Sequence, residues 1–530
     1  MRSKRITLGT AVGLLAMAGL LPLAVMAAKS LQVDGQWSLA LYRDLLRSER
    51  APALAANCLR LAGWTTMLAT VLGVPLGVLL GRTDLPFRKT FAGLLTIPLL
   101  LPPYITAVAW FDVLGRRGLL SRIFGEALSE WTSLQLFGLP GCTLVLTSAF
   151  CPLIVLLTMA WLEQVNPRLE EAGRLVAPWP TTLRVVTLPL VWPGIALAAS
   201  LVFLLSLGEF GVPIFLRFDV FPVETFTQFS AFFNYGAATA AALPLLVAAL
   251  LLLVLEWNLL KNAPKALRFG SSEPRRKVPL GRYRGPAAIA TGTLVILMIG
   301  VPYAGLAATA GSGQAYREAL ARAGDSLVRS VLYAATGASI LTVIGFFAGY
   351  LVHTRSMPTW RAVDALMLFL FAVPPTVLGI GLVLLWNQPW SGLIYGTPAI
   401  LFLGYTAQYT ALTSRATVAT LSQIPHSMED AAQVCGAGWP RRLLLIIAPL
   451  ASRGLLAGWL VAYVFCLHDV GISMIVYPPG HDTLPVRTFT LMANGAPELI
   501  AALCMLMISA ALLPLVASSL LKGAVRGGIG

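Results

Sequence analysis

About twelve stretches of roughly 20 residues, each almost free of charge, recur along the chain, and that recurrence leaves few folds open. They lie near residues 8–27, 56–80, 91–113, 139–162, 190–214, 237–260, 286–308, 328–352, 363–387, 396–420, 451–475 and 497–521. A helix of roughly 20 residues rises about 30 Å, the depth of a bilayer's hydrocarbon core. Lipid offers no partner to a backbone N–H or C=O, and a helix satisfies both internally. The sequence therefore predicts an all-α integral membrane protein of about 12 transmembrane helices. Of its 530 residues 57% are hydrophobic and only 12% charged, too apolar for a water-soluble globule of ordinary proportions.

A net charge of +15 raises nucleic acid as a partner, but the distribution of that charge points to topology instead. With Arg2, Lys4 and Arg5 inside and the spans alternating, the inner segments hold about 24 Lys and Arg against about 11 outside. Both termini are then expected in the cytoplasm, with lipid headgroups as neighbours and no nucleic acid. The largest basic cluster, Lys261 through Arg284, joins the sixth stretch to the seventh. It reads either as a topogenic linker beside anionic lipid or as a partner site. The N-terminal MRSKR and the apolar run behind it resemble a secretory signal, but about 20 apolar residues exceed the usual 7 to 15 of a cleaved one, so a retained first span is expected. Six cysteines without CxxC pairing and four scattered histidines suggest neither a disulfide framework nor a metal site.

Self-similarity organises the rest. A shift of 272 residues lays Gly73 on Gly345, Pro86 on Pro358, and Pro102-Pro103 on Pro374-Pro375. A shift of 260 lays Ala177, Trp179, Pro180, Leu183 and Pro189 on Ala437, Trp439, Pro440, Leu443 and Pro449, then Glu209 on Asp469. The difference is absorbed by a longer outer loop near 115–138 in the first copy. The chain thus divides into a first module at 1–260, a basic cytoplasmic linker at 261–285 and a second module at 286–530, each module with about six spans. An even number of spans separates the copies, so they form two parallel six-helix repeats, expected to be related by a pseudo-twofold axis along the bilayer normal.

Two polar segments stand at equivalent places between the fourth and fifth span of each module, on the expected cytoplasmic face. Pro167 precedes Glu170 and Glu171, and Pro425 precedes Glu429 and Asp430. A proline followed by acids starts a helix whose positive end the acids favour. Short helices are expected through Ala172–Ala177 and Ala431–Cys435, with Gly436-Ala437-Gly438 turning the chain and the Trp-Pro pairs closing the turn. An ordinary interhelical loop is the plainer reading of either one. Their duplication favours docking to two copies of one partner.

The second segment, IPHSMEDAAQVCGAGWPRRLLLIIAPL, resembles the EAA loop of permease subunits of binding-protein-dependent ABC importers, with Asp430-Ala431-Ala432, Gly436 and Pro449 in the signature places. In the first segment Ala172-Gly173 stands for the paired alanines and Val176 or Ala177 for the glycine, one residue shorter. The likeness extends over nearly the whole chain and is strongest to fused two-module permeases of ferric-iron importers; thiamine and aminoethylphosphonate permeases are similar. It implies a type I importer permease fold in a bacterial cytoplasmic membrane. Two copies of an ATPase would receive the EAA helices, and a periplasmic or lipid-anchored binding protein would deliver substrate. ATP and Mg would be used by the ATPase, with no cofactor bound by this chain. No GxxxxGK(S/T) loop occurs; GVLLGRT at Gly77–Thr83 reads as packing glycines. No nucleophile and base stand together, so an enzyme is not expected, and a 12-span secondary transporter is the main rival.

Candidates for the path or gate are Glu209 and Asp469, equivalent acids beyond the fifth spans, and Pro102, Pro103, Pro374 and Pro375, which interrupt the third. The acids suit either a cationic substrate or hydrogen bonds to neighbouring backbone. The prolines suit either a bend beside the path or a packing kink.

Overall fold

A computed structural model of the chain describes residues 2–33, 36–116, 118–261 and 277–527, so most of the expected basic linker, Asn262 to Arg276, lies outside the described residues. Nearly every described element is a helix. The exceptions are a hairpin of Gln32–Val33 with Gln36–Trp37 and an isolated bridge between Thr83 and Val278.

Among the described residues nine helices are long and apolar enough to cross a membrane, or eleven if each of two bent pairs counts as one span. These account for all but one of the expected stretches. The remaining one, 396–420, is the helix Ala399–Leu421, which falls short on apolarity because Thr406, Gln408, Thr410, Thr413, Ser414 and Thr417 lie along it. All six are buried. Hydroxyls along this helix return to its own backbone, as Thr410 Oγ1 does to Thr406 O at 2.5 Å, so the helix can be polar and still sit among other helices.

The two bent pairs are the proline-interrupted third spans. Arg88–Leu100 meets Pro103–Ser121 at 106°, and Trp360–Ala372 meets Pro375–Trp386 at 104°. Each break is a full corner. The first proline of each pair leaves the helical ψ (Pro102 ψ 141°, Pro374 ψ 135°) and the second opens the next helix, where its missing N–H costs nothing.

Four five-residue π turns, Ala16–Leu20, Leu183–Thr187, Ile296–Gly300 and Leu443–Ile447, occur among the described residues. Each is followed two residues later by a proline: Pro22, Pro189, Pro302 and Pro449. A proline ring collides with the carbonyl four residues back, and here that carbonyl always falls inside the π turn, so the helix widens where an α-helix would break. The signature proline of the EAA segment therefore shapes the start of the helix that follows it.

The described chain forms two compact units. One comprises Glu49–Val223 and Val247–Gly311. Its frame is the pair Arg50–Arg82 and Leu139–Gln164, with Leu188–Leu207 against both. Gly73 and Gly77 permit that crossing, since a Cβ at either would stand 2.7 Å from Ile154 or Thr158. The other unit comprises Met1–Ser48, Glu224–Leu246 and Ser312–Gly530. Gly313–Thr354, Ala399–Leu421 and Ala448–Leu467 frame it, and Gly349, equivalent to Gly77, has the carbonyl of Ser414 2.7 Å from where its Cβ would be. The repeat is a property of sequence, whereas the units follow packing: the first span, Ile6–Ser30, lies in the unit of the second copy, and Gly281–Thr309 lies in that of the first.

Candidate functional site

Each polar segment folds into a short helix mounted on a long one. The first runs Pro167–Val176, beginning earlier than expected because the Asn166 side chain accepts the Arg168 N–H at 3.1 Å and Pro167 takes the first helical position. Trp179-Pro180 does not close the turn but opens a new helical turn, Trp179–Thr182, that leads through the π turn into Leu188–Leu207. Glu170 faces inward. Its Oε1 lies 3.0 Å from Arg82 Nη2 and accepts Thr187 Oγ1–H at 2.8 Å, and Arg82 also donates to the carbonyl of Leu162 at 2.8 Å. Gly173 sits where a Cβ would come within 2.8 Å of Thr182 Cγ2, which accounts for glycine in place of the signature's second alanine.

The second short helix runs His426–Val434, with Pro425 at its N-cap. Its acid Glu429 also faces inward, but to other partners: Tyr350 Oη donates to it at 3.1 Å, and Arg442 Nη2 stands 3.8 Å away. Trp439 Nε1 donates to the same Tyr350 oxygen at 3.2 Å. Lys4 Nζ lies 5.0 Å from the Tyr350 ring centroid. Burial pulls the Lys4 ammonium below the ordinary lysine range; nearby Glu429 opposes that and Arg442 adds to it. Gly436 follows the helix at φ +81°, with its N–H on Gln433 O and that of Ala437 on Ala432 O, both at 3.0 Å. Nothing lies within 4 Å of a Cβ built there, so backbone conformation and not space calls for glycine. The first segment, lacking that residue, leaves its helix through an extended Ala177 (φ −144°).

In both segments the neighbouring acids separate. Glu170 and Glu429 are held inward, while Glu171 and Asp430 are exposed. Aliphatic residues share the outer surface: Leu175 and Val176 are each 89% exposed and Val434 is 88% exposed. Ala172 and Ala431 lie on the helices between these groups, Ala432 accepts the capping bond, and Ala437 donates it. Each helix is fixed by its inner acid and leaves an acid and bare aliphatics exposed on its outer face. Sequence reading found the acids. It missed Arg82 and Tyr350, which sit at the ends of long apolar helices where a lone arginine or tyrosine gives no signal.

The path candidates come together in pairs within each unit. Half-buried Glu209 accepts the N–H of Gly211 at 3.0 Å and of Val212 at 3.3 Å, capping the helix Gly211–Phe215. Buried Asp469 accepts Tyr409 Oη–H at 2.8 Å, and Ser473 N–H and Oγ–H at 2.8 and 2.7 Å. Both turns rest on the proline corners: a Cβ on Gly211 would be 3.3 Å from Tyr104 Cβ, next to Pro103, and one on Gly471 would be 2.6 Å from Pro375 Cβ. The hydrogen bonds are those of the structural alternative for these acids. Among the described residues no group of three or more His, Cys, Asp or Glu could hold a metal ion.

With this geometry in view, the profile of the family described as binding-protein-dependent transport system inner membrane component matches the chain twice, at 73–259 and 341–525. Each match contains one short helix, the residue that holds its inner acid (Arg82 or Tyr350) and one proline corner. The chain is 25% identical over 469 residues to ferric transport system permease protein FbpB 1 of Haemophilus influenzae, covering 82% of this chain and 71% of that one. It is 25% identical over 471 residues to ferric transport system permease protein FbpB of Actinobacillus pleuropneumoniae, covering 82% and 66%. It is 32% identical over 205 residues to molybdenum transport system permease protein ModB of Escherichia coli K12, covering 36% of this chain and 87% of that one.

Proposed function

The chain belongs to the inner membrane components of binding-protein-dependent transport systems, a permease carrying two copies of the family's module, and from that premise we propose how it works and what it carries. The two short helices, Pro167–Val176 and His426–Val434, are the levers through which two copies of an ATPase act, one on each. ATP and Mg are bound by those subunits, and a periplasmic or lipid-anchored binding protein delivers the cargo from outside. Both termini and both levers face the cytoplasm. ATP-driven closure of the ATPase pair moves the levers, and their rigid mounts carry the motion into the spans, opening the path alternately to either side.

One observation carries this reading: in each copy the inner acid clamps the short helix to a long one while the outer acid and aliphatics stay exposed. A loop that merely joined two spans would need neither a clamp nor an apolar outer face.

The cargo is ferric iron, because the relatives that share both modules over 82% of the chain are ferric permeases, whereas the molybdenum permease matches one module. The chain's part is passage and not storage. Glu209 and Asp469, seated on the proline corners, line the path as caps that keep it formed. Reconstitution with its ATPase and binding protein tests the whole: iron uptake should need ATP and the binding protein. Uptake by the permease alone, driven by an ion gradient, would identify a secondary transporter, and uptake of thiamine, a phosphonate or an oxyanion without iron would replace the cargo.

A further inference from the structure

The chain returns from the basic linker directly onto the turn that holds the first lever. The N–H of Val278 donates to the carbonyl of Arg82 at 2.9 Å and the carbonyl of Val278 accepts the N–H of Asp84 at 3.2 Å, a short parallel bridge with Thr83 at its centre. Lys277 Nζ donates to the carbonyl of Gly81 at 2.6 Å, the N–H of Leu280 donates to Asp84 Oδ1 at 2.9 Å, and Arg284 Nε stands 3.8 Å from Asp84 Oδ2. Residues 277–284 are therefore tied over the end of the helix Arg50–Arg82 by three backbone N–H or C=O groups and two cations. On the other side of that turn the Arg82 side chain, 8% exposed, grips Glu170 of the lever.

We propose that Lys277–Leu280 is a strap that fixes the posture of the first lever through Arg82, making Arg82 a positioning residue for ATPase coupling. The path is short and covalent at its middle, since strap and lever hold the main chain and the side chain of one residue. Arg82 suits the task because its permanently charged guanidinium brings one nitrogen, Nη2, within reach of both Glu170 and the Leu162 carbonyl at the buried end of the helix. The second lever is held differently. The repeat places Thr354 where the first copy has Arg82, and its hydroxyl donates to the Tyr350 carbonyl at 2.7 Å without reaching Glu429. A strap of this kind makes the joint between the modules part of the coupling mechanism, and only for the first lever.

The inference rests on the lever reading, and two measurements keep the two apart. Spin labels at Lys89→Cys and Leu175→Cys, in a Cys435→Ser background, report lever posture in the full chain in nanodiscs without any ATPase. ATP hydrolysed per iron transported reports coupling in the reconstituted complex. Val278→Pro removes the N–H donated to Arg82 and should broaden the label distance and raise the ATP cost per iron by about fivefold, the factor corresponding to one backbone hydrogen bond. Arg82→Met, which removes the grip on Glu170 and leaves the strap's backbone intact, should do the same if Val278→Pro fails to assemble. An unchanged label distance in both variants overturns the strap. A displaced lever with unchanged stoichiometry overturns its role in coupling. Glu171→Lys, on the lever's outer face, then tells whether the lever reading falls with it, because unchanged stoichiometry there removes the lever's coupling role itself.

Discussion

The two levers share an acid, a tryptophan, a π turn and a proline, yet they are held by unlike means. Glu170 is gripped at 3.0 Å by a buried guanidinium, whereas Glu429 takes a tyrosine hydroxyl at 3.1 Å and has its arginine at 3.8 Å. The first helix leaves through extended backbone, and the second through a left-handed glycine at φ +81°. A duplicated element has thus kept its outer face and changed its fastening. The lesson is that, on the proposed reading, one kind of partner would constrain both outer faces alike, while each mount is constrained only by whatever packs beneath it.

The largest expected effect tests that contrast directly. Arg82→Met leaves Glu170 inward-facing with no countercharge, a loss of about 3 kcal/mol for a buried pair. Arg442→Met, at the longer distance and with Tyr350 still donating, should cost about 1 kcal/mol. Melting of the purified permease should rank them in that order, and equal melting shifts would erase the distinction between the fastenings. Next comes Gly436→Ala, which puts a Cβ on a left-handed residue at a cost of about 1 to 2 kcal/mol. Inserting glycine after Val176 should not improve the first lever, whose exit is extended, and ATPase coupling in the two variants checks both halves of that statement. Tyr350→Phe removes one hydroxyl shared by Glu429 and Trp439 and should cost about 1 kcal/mol, with coupling through the second lever loosened and label distances in the first unmoved. Smallest is Lys4→Ala, which removes one cation from the Tyr350 face, about 0.5 kcal/mol; a shift in melting as large as that of Arg82→Met would show that the N-terminal segment is a principal fastening of the second lever.

Much of this was legible in the chain. Apolar runs gave the spans, the 272- and 260-residue shifts gave the duplication, and proline pairs marked the corners. The levers themselves stood out because acids after a proline are unusual in so apolar a sequence. Other features were hidden for a physical reason. Arg82 and Glu170, like Tyr350 and Glu429, meet only because long helices cross at chosen depths, and neither partner carries a local mark of the other. The polar helix Ala399–Leu421 read as one more lipid-crossing run, since its hydroxyls return to its own backbone and it is buried among other helices. The π turns were hidden as well: Pro22, Pro189, Pro302 and Pro449 each follow one, but Pro75, Pro152 and Pro193 sit inside α-helices without one, so a proline alone does not mark the turn.

Taken alone, the order of residues determined how many times the chain is apolar enough to cross a bilayer, that it does so in two copies, and where each copy turns polar again. These are properties of single segments in contact with lipid or water, and the transfer free energy of a segment is set by its own side chains. The tertiary structure alone decided which helices share a unit, which side chain holds each lever, and that the return from the linker is fastened to the main chain around Arg82. Those are properties of pairs, set by close packing and hydrogen-bond geometry between residues far apart in the chain.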